Sequence, residues 1–405
     1  MKGQFASRMA RIQKSFIREI LKVTQNPDVI SFAGGLPNPK YFPIEAIKAA
    51  ADKVLSQRGA TALQYAPTLG HYPLRQWIAQ RYGQQTGMVI EPDEILITNG
   101  SQQGLDLIGK ILLDEGDVVL LEAPSYIGGI QALSMYEPEF WTVPLGEDGA
   151  DTAVLADRAS QEKVKLFYAL PNFQNPTGIS YSAVKRQDTA RIMQETNTFF
   201  IEDDPYRELR FVGEDLPPIA SIYRDSGFLL GSFSKIVSPG MRLGWIVAAP
   251  PLMEKLIIAK QGADLHSNYL SQEIIYQFLA DNDLDAHISL IKAAYWRQRE
   301  LMVAMIEETF PPDVQFTLPE GGMFLWLTLP GGLSAMSLFE AAKAQNVVFV
   351  PGHPFYVDGG GQNTLRLNFS NTDEAKIEAG MKRLAKALRG EIARSSEQYS
   401  VNSIQ

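Results

Sequence analysis

From residue 94 onward the chain repeats one pattern: a short apolar run, a turn rich in Gly, Ser, Asn or Asp, then a helical stretch. The runs are Glu94–Thr98, Asp117–Leu121, Val164–Ala169, Thr198–Ile201, Phe228–Leu230 and Trp245–Ala248. They are too short for helices and too continuously apolar for strands with one wet face, so they read as strands buried on both sides. Helices on both faces of a parallel sheet supply that burial. The pattern therefore predicts an α/β fold, with a mostly parallel central sheet flanked by helices.

Two long helical stretches are expected at about 251–280 and 284–309. After Pro311–Pro312 the character changes. Phe324–Leu329, Val347–Val350 and Thr364–Phe369 read as strands, with a helix around 334–345 and a closing helix near 373–389. That describes a smaller α+β domain. The expected organisation is an N-terminal arm and substrate-site segment over 1–43, a large domain over 44–290, a small domain over 291–390 and a flexible polar tail over 391–405. A length of 405 residues is ample for two or three domains. In the arm, Ile12, Phe16, Ile17, Ile20 and Leu21 mark a helical face, and the Gly- and Pro-rich 31–43 is irregular. Ile44, Ile47, Ala51, Val54 and Leu55 mark a helix that Gly59 can cap.

Composition removes several chemistries. With 46 acidic and 37 basic side chains the formal charge is −9, which argues against a general nucleic-acid binder. The absence of cysteine excludes disulfides, thiolate metal sites and a cysteine nucleophile. His71, His266, His287 and His353 show no metal-ligand spacing, so no metal is expected. No apolar run approaches the roughly 18 residues of a membrane span, and the first residues lack the apolar core of a signal peptide. A cytoplasmic protein without a membrane partner is expected.

Four turns at strand ends and one strand, Thr364–Ser370, carry candidate chemistry. After Phe228–Leu230 come Ser232, Ser234 and Lys235, with Arg242 beyond; hydroxyls, a guanidinium and a lysine together suit a phosphorylated cofactor. A partly desolvated lysine loses its proton readily and can form a Schiff base. Taken alone, Lys235 reads as a solvated turn lysine, as most lysines are. The strand Thr198–Ile201 runs into Glu202, Asp203 and Asp204, where α/β sheets bind ligands. Asp204 before Pro205 reads as a helix N-cap, which leaves Asp203 and, three residues on, Tyr206. Asn175 follows Val164–Ala169 in a loop of turn formers, and its amide can bond a ring oxygen or a carboxylate. NGSQQG at 99–104 opens a helix whose N–H groups attract phosphate, although Ser101 alone is an ordinary N-cap. Gly104 and Gly109-Lys110 imitate part of a P-loop, but Ile111 stands where Ser or Thr would hold magnesium. In Thr364–Ser370, Arg366 can clamp a carboxylate or simply face water, and Tyr126 can stack on an aromatic ligand or simply pack. Jointly, phosphate donors, a lysine, a carboxylate and an aromatic face are what a pyridoxal phosphate enzyme needs.

At these residues the sequence resembles the fold-type I, class I/II aminotransferases. The motif order matches: Gly-Ser-Gln, Tyr126, Asn-Pro-x-Gly, Asp-x-x-Tyr, Ser-x-Ser-Lys with its downstream arginine, and the C-terminal arginine. RIQKSFIREILK at 11–22, SFAGGLPNP at 31–39 and QYAPTLGHYPLR at 64–75 are similar to the 2-aminoadipate and kynurenine branch. That branch shares its fold with pyridoxal-binding transcription regulators, whose winged helix the short segment before this catalytic region does not match.

The resemblance implies that Lys235 forms the Schiff base, Asp203 pairs with the pyridine nitrogen, and Tyr206 and Asn175 bond the ring hydroxyl oxygen. It implies that Tyr126 stacks on the ring and that Ser101, Gln102, Ser232, Ser234 and Arg242 hold the phosphate. Tyr65 would reach the phosphate of the other subunit, giving a homodimer with shared active sites. Arg366, with Asn175 and the backbone at Gly35, would bind the substrate α-carboxylate. Arg18 and Ser15 match positions used for the distal group, and Arg18 reads equally as a residue snorkelling from an amphipathic helix. The implied activity is amino transfer from an L-amino acid to a 2-oxo acid, with 2-oxoglutarate expected as acceptor and 2-aminoadipate, aromatic or branched-chain amino acids as donors. The alternatives are a lyase or decarboxylase on the same scaffold, or a non-catalytic pyridoxal-binding regulator.

Overall fold

The computed structural model describes residues 5–10 and 26–402. The first strand, β1 (Ile30–Ser31), lies apart from the main sheet. That sheet contains β2 (Ile95–Thr98), β3 (Val118–Ala123), β4 (Glu139–Gly146), β5 (Gly149–Ala150), β6 (Val164–Ala169), β7 (Phe199–Asp203), β8 (Gly227–Ser232) and β9 (Gly244–Ala248). Its eight strands are ordered β2-β9-β8-β7-β6-β3-β4-β5. Strands β4, β3, β6, β7 and β8 pair in parallel, whereas β9 runs antiparallel between β8 and β2. Every residue of β2, β7 from Phe200 on, β8 and β9 is buried, as the apolar runs require.

The reversal of β9 matters for function. It brings the start of β9 to the edge where its parallel neighbours end, with Gly244 opposite both Ser232 and Thr98. Arg242, two residues earlier, is thereby delivered beside the turns that follow β2 and β8. A side chain at Gly244 would strike Gly100, Ser101 and the Gly231 carbonyl at 2.8 Å. Only glycine lets these three segments approach so closely.

The smaller unit contains β10 (Gln315–Phe316), β11 (Phe324–Thr328), β12 (Val347–Val348), β13 (Val350–Pro351) and β14 (Thr364–Asn368). Four of them form an antiparallel sheet in the order β10-β11-β14-β13, while β12 pairs in parallel with β1. That pairing, with Phe32 and Ile30 packed near Gly380, seats the Gly-rich segment after residue 31 between the two sheets. All of β14 is buried, so its Arg366 face is not a solvated strand face.

Several expectations need correction. Strand β4 has no counterpart among the expected strands: it lies near the sheet's edge, with every residue but Val143 half-exposed or exposed and with Pro144, so it lacks a long apolar run. The stretch 251–280 is two helices, Pro250–Ala263 and Tyr269–Asp281, broken where Leu265 takes a φ of +68°. Gly59 does not end its helix, which runs Ile44–Ala62 with a kink at Arg58. The final helix spans Glu374–Asn402, well past 389 and through most of the segment read as tail. The apolar face around Ile12–Leu21 lies outside the described residues. No described helix is long and apolar enough to cross a membrane.

Candidate active site

The parallel strands deliver their following residues to one edge of the main sheet, and the small sheet covers that edge. Strand β7 ends at Asp203, which is 1% exposed. Its Oδ2 accepts a 2.9 Å hydrogen bond from Tyr168, while its buried Oδ1 has no partner among the described residues. Burial pushes the Asp203 carboxyl up to about 7, against the Tyr168 hydrogen bond and the Lys235 charge, which favour the anion. A buried carboxylate oxygen left without a donor is costly, and a ring N–H would satisfy it.

Lys235 lies in the turn after β8, partly buried, with Nζ donating to the Gly35 carbonyl at 2.9 Å. The amine stands 5.8 Å from the centre of the Tyr206 ring. Burial lowers its pKa to about 8; Arg366 and Arg242 push the same way and Asp203 opposes them. A useful fraction is therefore neutral near neutral pH, as a nucleophilic amine requires.

Tyr206 and Asn175 come from different strand ends and meet at 3.4 Å, amide to phenol. Asn175 Oδ1 also accepts from Arg366 Nη1 at 2.6 Å, and Arg366 Nη2 donates to the Ala33 carbonyl at 2.7 Å. Arg366 is 2% exposed and its Nε has no partner among the described residues. It is sandwiched near Phe324 and Phe355, 4.4 and 5.3 Å from the ring centres. Burial lowers its pKa to about 10, and no carboxylate pairs with it among the described residues. A buried guanidinium without a counter-ion is expensive, and an incoming carboxylate would relieve that cost.

A second group of polar atoms gathers around the start of the helix Ser101–Leu112. Gly100, at φ +78°, is the N-cap of the helix Ser101–Leu112, with no side-chain cap. Ser101 is thus the first helical residue and not the cap. Ser232 Oγ accepts from the Ser234 backbone at 3.1 Å. Arg242, in a left-handed conformation and exposed, donates to the Asn99 carbonyl at 3.0 Å. Gln102, exposed, spends its amide on the Gly128 carbonyl at 2.8 Å. Helix N–H groups, two hydroxyls and a guanidinium at one corner fit a phosphate. Gly104, Gly109 and Lys110 lie inside that helix, which disposes of the P-loop resemblance.

Tyr126 caps the helix Ile127–Ser134, its ring over Gly128, where a Cβ would come within 2.5 Å. It is close enough to the centre for Asp203, Arg366 and Arg242 all to influence its ionisation. Tyr65 is 81% exposed and touches the edge of His266, 6.0 Å between centres. Arg18 and Ser15 lie outside the described residues.

Sequence reasoning misses two partners and misreads a third residue. Tyr168, the donor to Asp203, sits inside an apolar run and looks like core. Glu122 is buried and accepts from Gln174, Tyr181 and the Leu170 backbone at 2.8, 2.9 and 3.2 Å, which ties down the loop carrying Asn175. Asp204 is not an N-cap: its carboxylate is buried, accepts from Asn172 at 2.8 Å and pairs with Arg207 at 3.3 Å. The short helix there is Arg207–Leu209, and Tyr206 precedes it.

An amine, a buried carboxylate and a buried guanidinium that each keep an unspent atom among the described residues, and a corner of helix N–H groups, hydroxyls and a guanidinium are chemically suited to holding pyridoxal phosphate and a carboxylate substrate. Similarity to known proteins agrees. Residues 28–384 match the family Aminotransferase class I and II. The chain is 44% identical to a 2-aminoadipate transaminase of Thermus thermophilus, over 96% of this chain and 97% of that one. It is 40% identical to aromatic-amino-acid aminotransferase 1 of Thermococcus litoralis, over 96% and 94%. The solved alpha-aminoadipate aminotransferase of Thermus thermophilus, complexed with N-(5'-phosphopyridoxyl)-L-leucine, superposes with a TM-score of 0.89 at 43% identity, covering 96% of this chain and 98% of that one. The chain belongs to the class I and II aminotransferase family and is a pyridoxal-phosphate-dependent enzyme.

Proposed function

We propose that this aminotransferase moves the amino group of 2-aminoadipate, or of an aromatic or branched-chain L-amino acid, to 2-oxoglutarate, in two half-reactions at one site. The relatives named for 2-aminoadipate and aromatic amino acids support the donor range. The observation that carries the reading is Arg366: a buried, rigidly held guanidinium with an unspent N–H and no carboxylate of its own among the described residues. Donor and acceptor share an α-carboxylate, so one such clamp orients both.

Pyridoxal phosphate, when bound, supplies the electron sink that makes the α-proton acidic. Asp203 would hold the ring nitrogen through its free Oδ1, with Tyr168 fixing the other oxygen. Asn175 and Tyr206 would bond the ring hydroxyl oxygen, Tyr126 would cover the ring, and Ser101, Gln102, Ser232, Ser234 and Arg242 would receive the phosphate. Lys235 Nζ would take the α-proton and hand it on, a task matched to an amine that burial has made less basic. The Gly35 carbonyl, which now accepts from that amine, would orient it. Tyr65, projecting from the surface, would complete the partner's phosphate cup in a cytoplasmic homodimer. Arg18 and Ser15 would meet the substrate's distal group.

Lys235→Ala should fold, as judged by circular dichroism, and lose turnover with every donor; full activity in that variant would overturn the assignment. A donor screen repeated with Arg18→Ala should weaken acidic donors alone if Arg18 reads a distal carboxylate.

A further inference from the structure

Lys260 is 0% exposed, in a helix that contributes no group to the site described above. Its Nζ donates to both oxygens of Asp264 at 2.6 and 2.8 Å, to Gln103 Oε1 at 2.9 Å and to Ser267 Oγ at 3.0 Å. Three local costs accompany this arrangement. A lysine is buried, which is unfavourable unless it is fully paired. Asp264 puts negative charge at the C-cap of Pro250–Ala263, against the helix dipole. Leu265 then takes a left-handed backbone, at φ +68°.

These costs converge on the turn that opens the phosphate cup. Asp264 Oδ2 accepts from Asn99 Nδ2 at 2.6 Å and from Gln103 Nε2 at 2.8 Å. Gln103 Oε1 accepts the Asn99 backbone N–H at 2.9 Å, and Ser267 Oγ donates to the Ile97 carbonyl at 3.2 Å. The Asn99 carbonyl in turn accepts from Arg242. Residues 97–103 are therefore held from behind by one ion pair, a buried Lys260 with a partly exposed Asp264, at the turn whose helix N-terminal N–H groups belong to the cup.

We propose that the Lys260–Asp264 pair is a positioning element for the phosphate-binding turn, setting cofactor retention without touching the ligand; this rests on reading that turn as the phosphate site. Lys260 and Asp264 fix Asn99 and Gln103, and through them the direction of the Gly100–Ser101 N–H groups and the Arg242 guanidinium.

The test compares pyridoxal 5'-phosphate with pyridoxal, binding to the full-length protein stripped of cofactor and followed by tryptophan fluorescence. Pyridoxal shares the ring but closes partly onto its own 5'-hydroxymethyl group. That cost is common to every variant, so the change in the affinity ratio from wild type to variant isolates the phosphate contribution. Lys260→Met should weaken pyridoxal 5'-phosphate by roughly ten- to a hundredfold, the worth of about one charge-assisted hydrogen bond, and leave pyridoxal within about twofold. Asp264→Asn keeps the shape and removes the charge; it should show the same selective loss, about three- to tenfold. It decides the matter if Lys260→Met does not fold. Arg191→Gln, in an exposed pair, is the control and should change neither ligand. Equal losses for the two ligands, or no loss, would overturn the proposal. A wild-type protein that binds both ligands equally would instead overturn the reading of the phosphate site itself.

Discussion

Tyr168→Phe removes one hydroxyl and tests how the Asp203 carboxylate is kept charged. The Tyr168 hydroxyl donates to Asp203 Oδ2 at 2.9 Å inside a fully buried site, and Asp203 is already pushed up to about 7 by burial. A hydrogen bond to a charged acceptor contributes about 1.5–3 kcal/mol, and one pH unit corresponds to about 1.4 kcal/mol. Losing it should raise Asp203 by roughly one to two further units in the cofactor-free protein. At pH 7 the charged fraction would fall from about half to a tenth or less. The assay is the affinity for pyridoxamine 5'-phosphate between pH 6 and 10, because that ligand needs no covalent attachment to Lys235. Ionisations of the ligand are common to both proteins, so the difference between their curves reports Asp203. The variant should bind more weakly at pH 7, with its acid limb displaced upward by roughly one to two units, and should approach wild type near pH 10. Superimposable acid limbs would refute the claim that Tyr168 holds Asp203 as an anion.

Other consequences are as direct. Arg366→Lys replaces a planar fork bonded to Asn175 and Ala33 with a point charge, and should raise KM for donor and acceptor alike by about ten- to a hundredfold, with a smaller loss in kcat. Gly128→Ala drives a Cβ into the Tyr126 ring at 2.5 Å, and should cost about 1–3 kcal/mol in stability together with weakened cofactor binding, measured by melting and titration. Glu122, raised by burial to about 7, keeps a proton that the unfolded chain has released by about pH 5. Its contribution to stability is complete below the unfolded value and disappears as pH rises through 7, an effect of up to about 3 kcal/mol. Glu122→Gln should therefore flatten the decline in cofactor-free stability between about pH 5 and 8, measured by denaturant unfolding.

The residues legible in the sequence are those at strand ends. There, turn formers interrupt apolar runs, and a lysine, aspartate or arginine stands out because packing does not call for it. Lys235, Asp203 and Asn175 stand out in this way, in three separate segments, and the alternation of runs with helices reveals the sheet that gathers them. Arg366 is the exception, the one charged residue inside the short strand β14 of the small sheet. Tyr168 stays hidden because a buried aromatic inside a strand looks like core until its hydroxyl is seen on Asp203. Asp204 misleads because a local rule, acid before proline, competes with partners at Asn172 and Arg207 that only the fold supplies. The helix break at 264–268 has no Pro or Gly to mark it. It is stabilised by the pairing of Lys260 with Asp264 and by the turn at Asn99, which is remote from that pair in the chain. Strand β4 carries no continuous apolar run because it lies near the sheet's edge, with every residue but Val143 half-exposed or exposed.

The central claim is that the amino group is transferred intact from one carboxylate-bearing substrate to another at the site built around Lys235 and Arg366. Incubating the purified protein, with pyridoxal phosphate, 15N-labelled 2-aminoadipate and 2-oxoglutarate, tests it most directly. Nitrogen NMR should show the label moving into glutamate, in step with the appearance of the donor's oxo acid. Label released as ammonia, or donor lost as carbon dioxide with no labelled glutamate, would contradict the account.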